Sequence, residues 1–210
     1  ATPHLMYWED AEYLFDKRNY KLEKLRNILE ENDIKVKLVP GFEILCDDDI
    51  FNIKYFKPYT LCDSDYILIE FDFAKPDEED VVSWCRYLSS NGLIPIIAHP
   101  ERYDFVLSDL SVIERLSALG VLFQVNCGSL AGVFGEAEET AAVKMLNAGY
   151  VDFIGSDAHH IEFRNTDMSK FIRKASGYAD MKALKKAAID NPKYIIKNIR
   201  YVPERKDGIK

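Results

Sequence analysis

Two short apolar runs, Ile94-Pro95-Ile96-Ile97-Ala98 and Asp152-Phe153-Ile154-Gly155, each stop abruptly at groups able to bind metal. The first runs into His99-Pro100-Glu101-Arg102, the second into Ser156-Asp157-Ala158-His159-His160. Both have the length of a buried strand. In α/β architectures the space beyond the carboxyl ends of the strands is where ligands bind and catalytic groups collect. The chain has 4 histidines, and three of them lie in these two places. The combination points to a metal-assisted hydrolase on a parallel sheet.

The rest of the chain supplies the helices and strands that such a sheet needs. Leu14, Leu22, Leu25, Ile28 and Leu29 recur at helical spacing between residues 11 and 31. Residues 34–39 alternate apolar residues with lysine and predict a half-buried strand. Pro40-Gly41 then turns the chain into Phe42-Glu43-Ile44, and residues 46–64 are irregular, acidic and aromatic. Tyr66-Ile67-Leu68-Ile69 predicts a strand ending in Glu70. Pro76-Asp77-Glu78-Glu79-Asp80 opens a helix with acids in its first turn, and Asn91-Gly92 stops it. A helix over residues 108–119, a strand over residues 121–125 and a helix over residues 135–148 follow. After residue 165 the pattern is helical throughout, with Asn191-Pro192 starting the last helix. Five strands in alternation with helices predict a parallel sheet or barrel with right-handed crossovers. No linker or repeat divides residues 1–210, so a single domain is expected.

Composition narrows the function. A net charge of −8 over 210 residues excludes a broad nucleic-acid surface. An anionic substrate therefore needs a local positive centre. Cys46, Cys62, Cys85 and Cys127 show neither CxxC spacing nor a dense framework, which suits a cytoplasmic chain with reduced thiols. No apolar run has the roughly 20 residues that span a bilayer, and no nucleic-acid or membrane partner is expected. No GxxxxGK loop is present, so nucleotide hydrolysis is disfavoured. Cys127 lacks a CxxxxxR loop, which disfavours a cysteine-dependent phosphatase.

Glu43, Glu70, His99 and the pair Asp157 and His159 all fall at strand ends, and His4 stands near the start. Imidazole with carboxylate suits Zn, Fe or Mn better than Ca or Mg alone. Each residue also has an ordinary reading. Glu43 and Glu70 can be solvated or paired, His99 can be a satisfied core histidine, and Asp157 can cap a helix. His160 has no clear partner. The coincidence of five such groups at successive strand ends favours one multinuclear site. Arg102 and Arg164, three and five residues beyond ligand candidates, can grip phosphate through the guanidinium fork. Either can equally form a surface ion pair, Arg102 with Glu101 or Asp104. Asn126, Cys127 and Ser129 also follow a strand and can line the cleft.

Read in order, Ala1-Thr2-Pro3-His4, Gly41-Phe42-Glu43-Ile44, Leu68-Ile69-Glu70-Phe71, Ile97-Ala98-His99-Pro100-Glu101-Arg102-Tyr103 and Gly155-Ser156-Asp157-Ala158-His159 resemble motifs of the PHP (polymerase and histidinol phosphatase) superfamily. The branch most similar is the bacterial manganese-dependent protein-tyrosine phosphatases of capsule and exopolysaccharide loci. Residues 123–130, Phe134-Gly135 and the Asn191-Pro192 helix also look like that branch. The resemblance covers essentially the whole chain.

It implies a distorted (β/α)7 barrel with a trinuclear metal site. His4, Glu43, Glu70, His99, Asp157 and His159 fall on metal-ligand positions, with Glu43 bridging, and Arg102 and Arg164 fall on phosphate-binding positions. Mn2+ is the implied metal, with Fe or Zn as alternatives. The implied substrate is phosphotyrosine on the tail of a polysaccharide-export tyrosine kinase, with His159 or a metal supporting the departing phenolate. The family opens with a His-x-His strand that this sequence does not contain. The resemblance thus implies an absent strand–helix–strand of about 30–40 residues at ordinary element lengths. An open barrel edge, incomplete metal loading, impaired activity and self-association would follow. Two other readings stand beside this one: a small-molecule phosphatase of the histidinol phosphatase kind, and a non-catalytic module that binds a partner.

Overall fold

In a computed structural model, residues 1–73, 76–162, 164–206 and 208–209 are described. Six parallel strands lie side by side in chain order: β1 (His4–Leu5), β2 (Glu43–Leu45), β3 (Tyr66–Glu70), β4 (Ile94–Ala98), β5 (Leu122–Asn126) and β6 (Phe153–Gly155). The sequential order and uniform direction make a sheet curled into a half-barrel. Crossovers carry α1 (Ala11–Glu31), α2 (Glu78–Ser90), α3 (Asp104–Ser108), α4 (Ser111–Ala118) and α5 (Glu136–Asn147).

The strands have two buried faces because alternate side chains point opposite ways. Ile44, Ile67, Ile69, Ile97, Phe123, Val125 and Ile154 belong to the large core shared with the helices. Leu68, Ile96, Ala98, Leu122 and Phe153 belong to a second cluster on the other face, joined by Tyr201 and Ile195 from the carboxyl-terminal region. Burial on both faces explains why these strands read as continuous apolar runs.

The end of the carboxyl-terminal region crosses the amino ends of β3 and β6, whereas its start packs beside residues 129–131, past the carboxyl end of β5. The region comprises α6 (Ser169–Ala175), α7 (Met181–Lys185) running on as a π turn to Asp190, α8 (Pro192–Lys197), and a non-helical tail. Asn198 Oδ1 accepts from Asp65 N at 2.9 Å, and Tyr66 Oη donates to Ile199 O at 2.7 Å. Arg205 donates to both oxygens of the fully buried Asp152, at 2.9 and 3.0 Å. Gly149, at φ +80°, lets the tail pass: a Cβ there would lie 2.8 Å from Glu204 O. With the amino end covered in this way, the carboxyl end is left for chemistry. No described helix is long and apolar enough to cross a membrane.

Several expectations change. Residues 34–39 form no strand; Ile34 and Val36 are 49% and 58% exposed, so the alternation has no apolar surface to pack against. The sheet nevertheless has six strands, because His4–Leu5 and Glu43–Leu45, too short to carry a pattern, pair with each other and with β3. The helix expected over residues 108–119 forms as α4 but starts at Ser111: Ser108 ends α3, and Asp109 turns out of the helix at φ −149° and accepts from Ser111 N through its carboxylate at 3.0 Å. Beyond residue 165 the chain is not wholly helical, since α8 ends in a left-handed turn at Asn198 and residues 199–206 form no helix.

Candidate metal centre

The ligand candidates reach one rim by different routes. Glu70 is the last residue of β3, and His99 and Asp157 lie just beyond β4 and β6. Glu43 and His4, by contrast, open their strands rather than end them, pairing with one another and with Leu68 in register. Stagger between neighbouring strands of the curled sheet brings first residues of β1 and β2 level with the last of β3. Because Glu43 pairs with Leu68, Glu70 two residues on lies on the same sheet face.

Four donors form a compact group. His4 Nδ1 lies 2.6 Å from Glu70 Oε1 and 3.8 Å from Glu43 Oε2. His99 Nε2 lies 3.2 Å from Glu43 Oε1 and 3.5 Å from Glu70 Oε2. One donor atom from each of His4, Glu43 and Glu70 falls within 4.8 Å of the others. Asp157 and His159 extend the row: His159 Nε2 is 3.3 Å from His4 Nε2, and its Nδ1 is 3.3 Å from Asp157 Oδ1. A cleft of about 600 Å³ opens over His4, Glu43, Asp157 and His159.

Electrostatics mark the group as a cation site. Glu43 and Glu70 are buried, and their ion-pair partners among the described residues are imidazoles, not lysine or arginine. Burial alone would lift the Glu70 carboxyl; contacts with His4 and His99 outweigh it and hold it down at about 2. Burial alone would lower His99; contacts with Glu43 and Glu70 carry it up to about 9. Hydrogen bonding to Glu70 raises His4 as well. Protons on the imidazoles thus supply the positive charge that two buried carboxylates require. Two imidazoles and two carboxylates in contact make an N/O donor set that suits a divalent transition ion, which would replace those protons.

Asp157 is the hub of the phosphate side. Its Oδ2 accepts from Arg164 Nη2 and, at 2.8 Å, from Asn126 Nδ2, and lies 3.7 Å from Arg102 Nη1. No helix follows Asp157, so it is not a helix cap, and Arg102 pairs with it rather than with Glu101 or Asp104. His99, Asp157 and Arg164 all take left-handed backbone angles, at φ 36°, 48° and 53°. Non-glycine residues hold that conformation at a cost of about 1–3 kcal/mol each, and such residues cluster at functional sites. Cys127 is buried, and burial pushes its thiol up to about 11, consistent with no nucleophilic role. His160 is exposed and outside the donor row.

Sequence reasoning missed three residues. Glu101 is fully buried, and its Oε1 accepts from Asn126 N at 3.0 Å and from Ser129 Oγ at 2.6 Å. It ties the exit of β4 to the exit of β5, whose Asn126 in turn holds Asp157. Phe73 and Phe134 both lie against Arg102, with centroids 4.7 and 4.6 Å from its Cζ. Phe134 and Glu101 lie inside motifs already noted, but nothing in their spacing says what they touch.

Residues 1–197 match the family described as capsular polysaccharide synthesis, CpsB/CapC. The tyrosine-protein phosphatase YwqE of Bacillus subtilis (strain 168) is 32% identical over 145 residues, which are 68% of this chain and 56% of YwqE. CapC of Staphylococcus aureus is 34% identical over 168 residues, 78% of this chain and 64% of CapC. The chain therefore spans a little over half to nearly two thirds of these relatives. A solved structure from work on YwqE and on CpsB of Streptococcus pneumoniae, described as metal-dependent tyrosine phosphatases, superposes with a TM-score of 0.76 at 26% identity. That match covers 90% of this chain and 76% of the other.

Proposed function

This chain belongs to the capsular polysaccharide synthesis family CpsB/CapC, and on that premise we propose that it is part of a metal-dependent phosphatase acting on phosphotyrosine in proteins. The observation that carries the reading is the group formed by the buried Glu43, Glu70 and His99 with the exposed His4, two carboxylates and two imidazoles in contact at a strand-end rim. The relatives named as tyrosine phosphatases support the substrate class.

In this reading His4, Glu43, Glu70 and His99 would hold a divalent ion. Asp157 and His159 would serve a second. Divalent ions bound there, Mn2+ before Fe or Zn, supply an activated water and neutralise charge on the phosphoryl oxygens. The protein's own residues do the remaining work. Arg102 and Arg164, both now directed at Asp157, bring guanidinium N–H groups to the oxygens of the transferring phosphoryl group. Asn126 fixes the Asp157 carboxylate, and the left-handed turns at His99 and Asp157 aim their side chains. In this reading the natural substrate is phosphotyrosine on the tail of a polysaccharide-export tyrosine kinase. A cytoplasmic setting fits the four cysteines, all of them free thiols.

The test is a steady-state comparison of a phosphotyrosine peptide with histidinol phosphate in Mn2+. A higher kcat/KM for the peptide supports the proposal. Preference for histidinol phosphate would move the assignment to a small-molecule phosphatase.

A further inference from the structure

The guanidinium of Arg102 lies against two aromatic rings. Its Cζ is 4.7 Å from the Phe73 centroid and 4.6 Å from the Phe134 centroid. Phe134 also lies 5.4 Å from Arg164 Cζ, so one ring touches both arginines. A guanidinium stacked on aromatic faces keeps its N–H edge free for in-plane hydrogen bonds and loses little additional freedom when it makes them. Arg102 Nη1 stands 3.7 Å from Asp157 Oδ2.

The two rings are held from behind. Phe73 stacks on His99 at 5.6 Å and 24° and leans on Tyr103 at 5.4 Å. Tyr103 is itself fixed, its Oη accepting from Phe71 N at 3.0 Å. Phe134 rests against Gly128, where a Cβ would come within 3.0 Å of the ring. Gly128 has an ordinary helical backbone, φ −65° and ψ −38°, so close approach of the ring, not turn geometry, is what a side chain there would disturb.

Phe73 is 43% exposed although it stacks on a buried histidine. A ring present only to fill the core would be covered. Its open part lies beside the guanidinium assigned to the phosphoryl group. We propose that Phe73 and Phe134 clamp Arg102 in position and that Phe73 selects aryl over alkyl phosphate esters through contact of its exposed edge with the leaving group's ring. This rests on the reading of Arg102 as a phosphate-binding residue.

The experiment measures binding of phenylphosphonate and methylphosphonate, which are not hydrolysed, to the full chain in Mn2+ by titration calorimetry. The wild-type chain is expected to favour phenylphosphonate by about threefold to tenfold, the increment of one aromatic pair. Phe73→Leu should weaken both ligands by loosening Arg102, phenylphosphonate the more, so that the ratio falls close to one, and Phe73→Trp should restore the ratio. Phe134→Leu should weaken both ligands alike, because it loosens Arg102 without touching the aryl group. Since Phe73 is half open to solvent, the leucine variant is expected to melt with the wild type. A wild-type ratio near one, or a ratio that survives Phe73→Leu, overturns the proposal. An Arg102→Lys chain that keeps both affinities overturns the phosphate role of Arg102. A Phe73 failure with Arg102→Lys still weakening both ligands sinks the aromatic selection alone.

Discussion

Replacing Glu101 with alanine tests whether the rim is held by one buried carboxylate. Glu101, Asn126 and Ser129 are all at 0% exposure, so no water takes over the contacts that Glu101 makes. The substitution leaves Asn126 N–H and Ser129 Oγ–H without their acceptor, at about 1–3 kcal/mol for each buried unsatisfied group. Against that, Glu101 Oε2 has no hydrogen-bond partner among the described residues, and burial already lifts the carboxyl's pKa, so removing it relieves some desolvation. The net expectation is a loss of about 3 kcal/mol, or a melting temperature lower by roughly 6–12 °C at this chain length. Glu101→Gln keeps an oxygen where Oε1 sits and should lose less than about 1 kcal/mol. Urea unfolding at neutral pH, with equal m-values required for comparison, reads both variants. Asn126 also holds Asp157 at 2.8 Å, so Glu101→Ala should reduce phosphatase turnover more than its stability loss explains. An alanine variant within about 0.5 kcal/mol of wild type, or a glutamine variant as damaged as the alanine one, would refute the reasoning.

Three further outcomes follow from the contacts. Arg205→Met leaves Asp152 buried without its guanidinium and should cost about 3–5 kcal/mol near pH 7.5. Burial already pushes Asp152 up to about 6, Arg205 only partly opposing it, and a raised carboxyl favours the fold at low pH and loses that contribution as pH rises; the variant should therefore regain stability at pH 5, and a pH-independent deficit in urea midpoints would contradict this. Metal binding at His99, whose pKa stands near 9, should expel a proton, so chelator competition should show affinity rising about tenfold per pH unit between 6.5 and 7.5; a flat profile would remove His99 from the ligand set. Arg102→Lys keeps the charge but loses the planar fork packed against Phe73 and Phe134, and should lower kcat/KM for p-nitrophenyl phosphate by about tenfold or more, with unchanged rates counting against the guanidinium's role.

What could be read from sequence depended on element length and on how local each signal was. α1 was readable over its full span because 21 residues give the helical repeat room to recur. β3 and β4 were readable because burial on both faces leaves unbroken apolar runs. β1 and β2, at 2 and 3 residues, exist only through pairing with a neighbour, which no local pattern encodes. Residues 34–39 show the converse: the alternation is present, but no sheet edge meets it. The ligand candidates stood out because His and acidic residues interrupt apolar strands. Glu101 did not, because a buried carboxylate beside an arginine looks like half of a surface ion pair. Phe73 and Phe134 lie 61 positions apart, and only the fold places Arg102 against both.

The proposed phosphatase stands or falls on whether the rim cluster works through a metal. The direct measurement is p-nitrophenyl phosphate turnover by the purified chain after exhaustive chelation and then during stepwise return of Mn2+, with His99→Ala alongside. Turnover should vanish on chelation, return with added Mn2+, and stay low in His99→Ala at every Mn2+ concentration. Turnover that persists through chelation, or a His99→Ala chain that matches wild type, would contradict a metal centre built from His4, Glu43, Glu70 and His99.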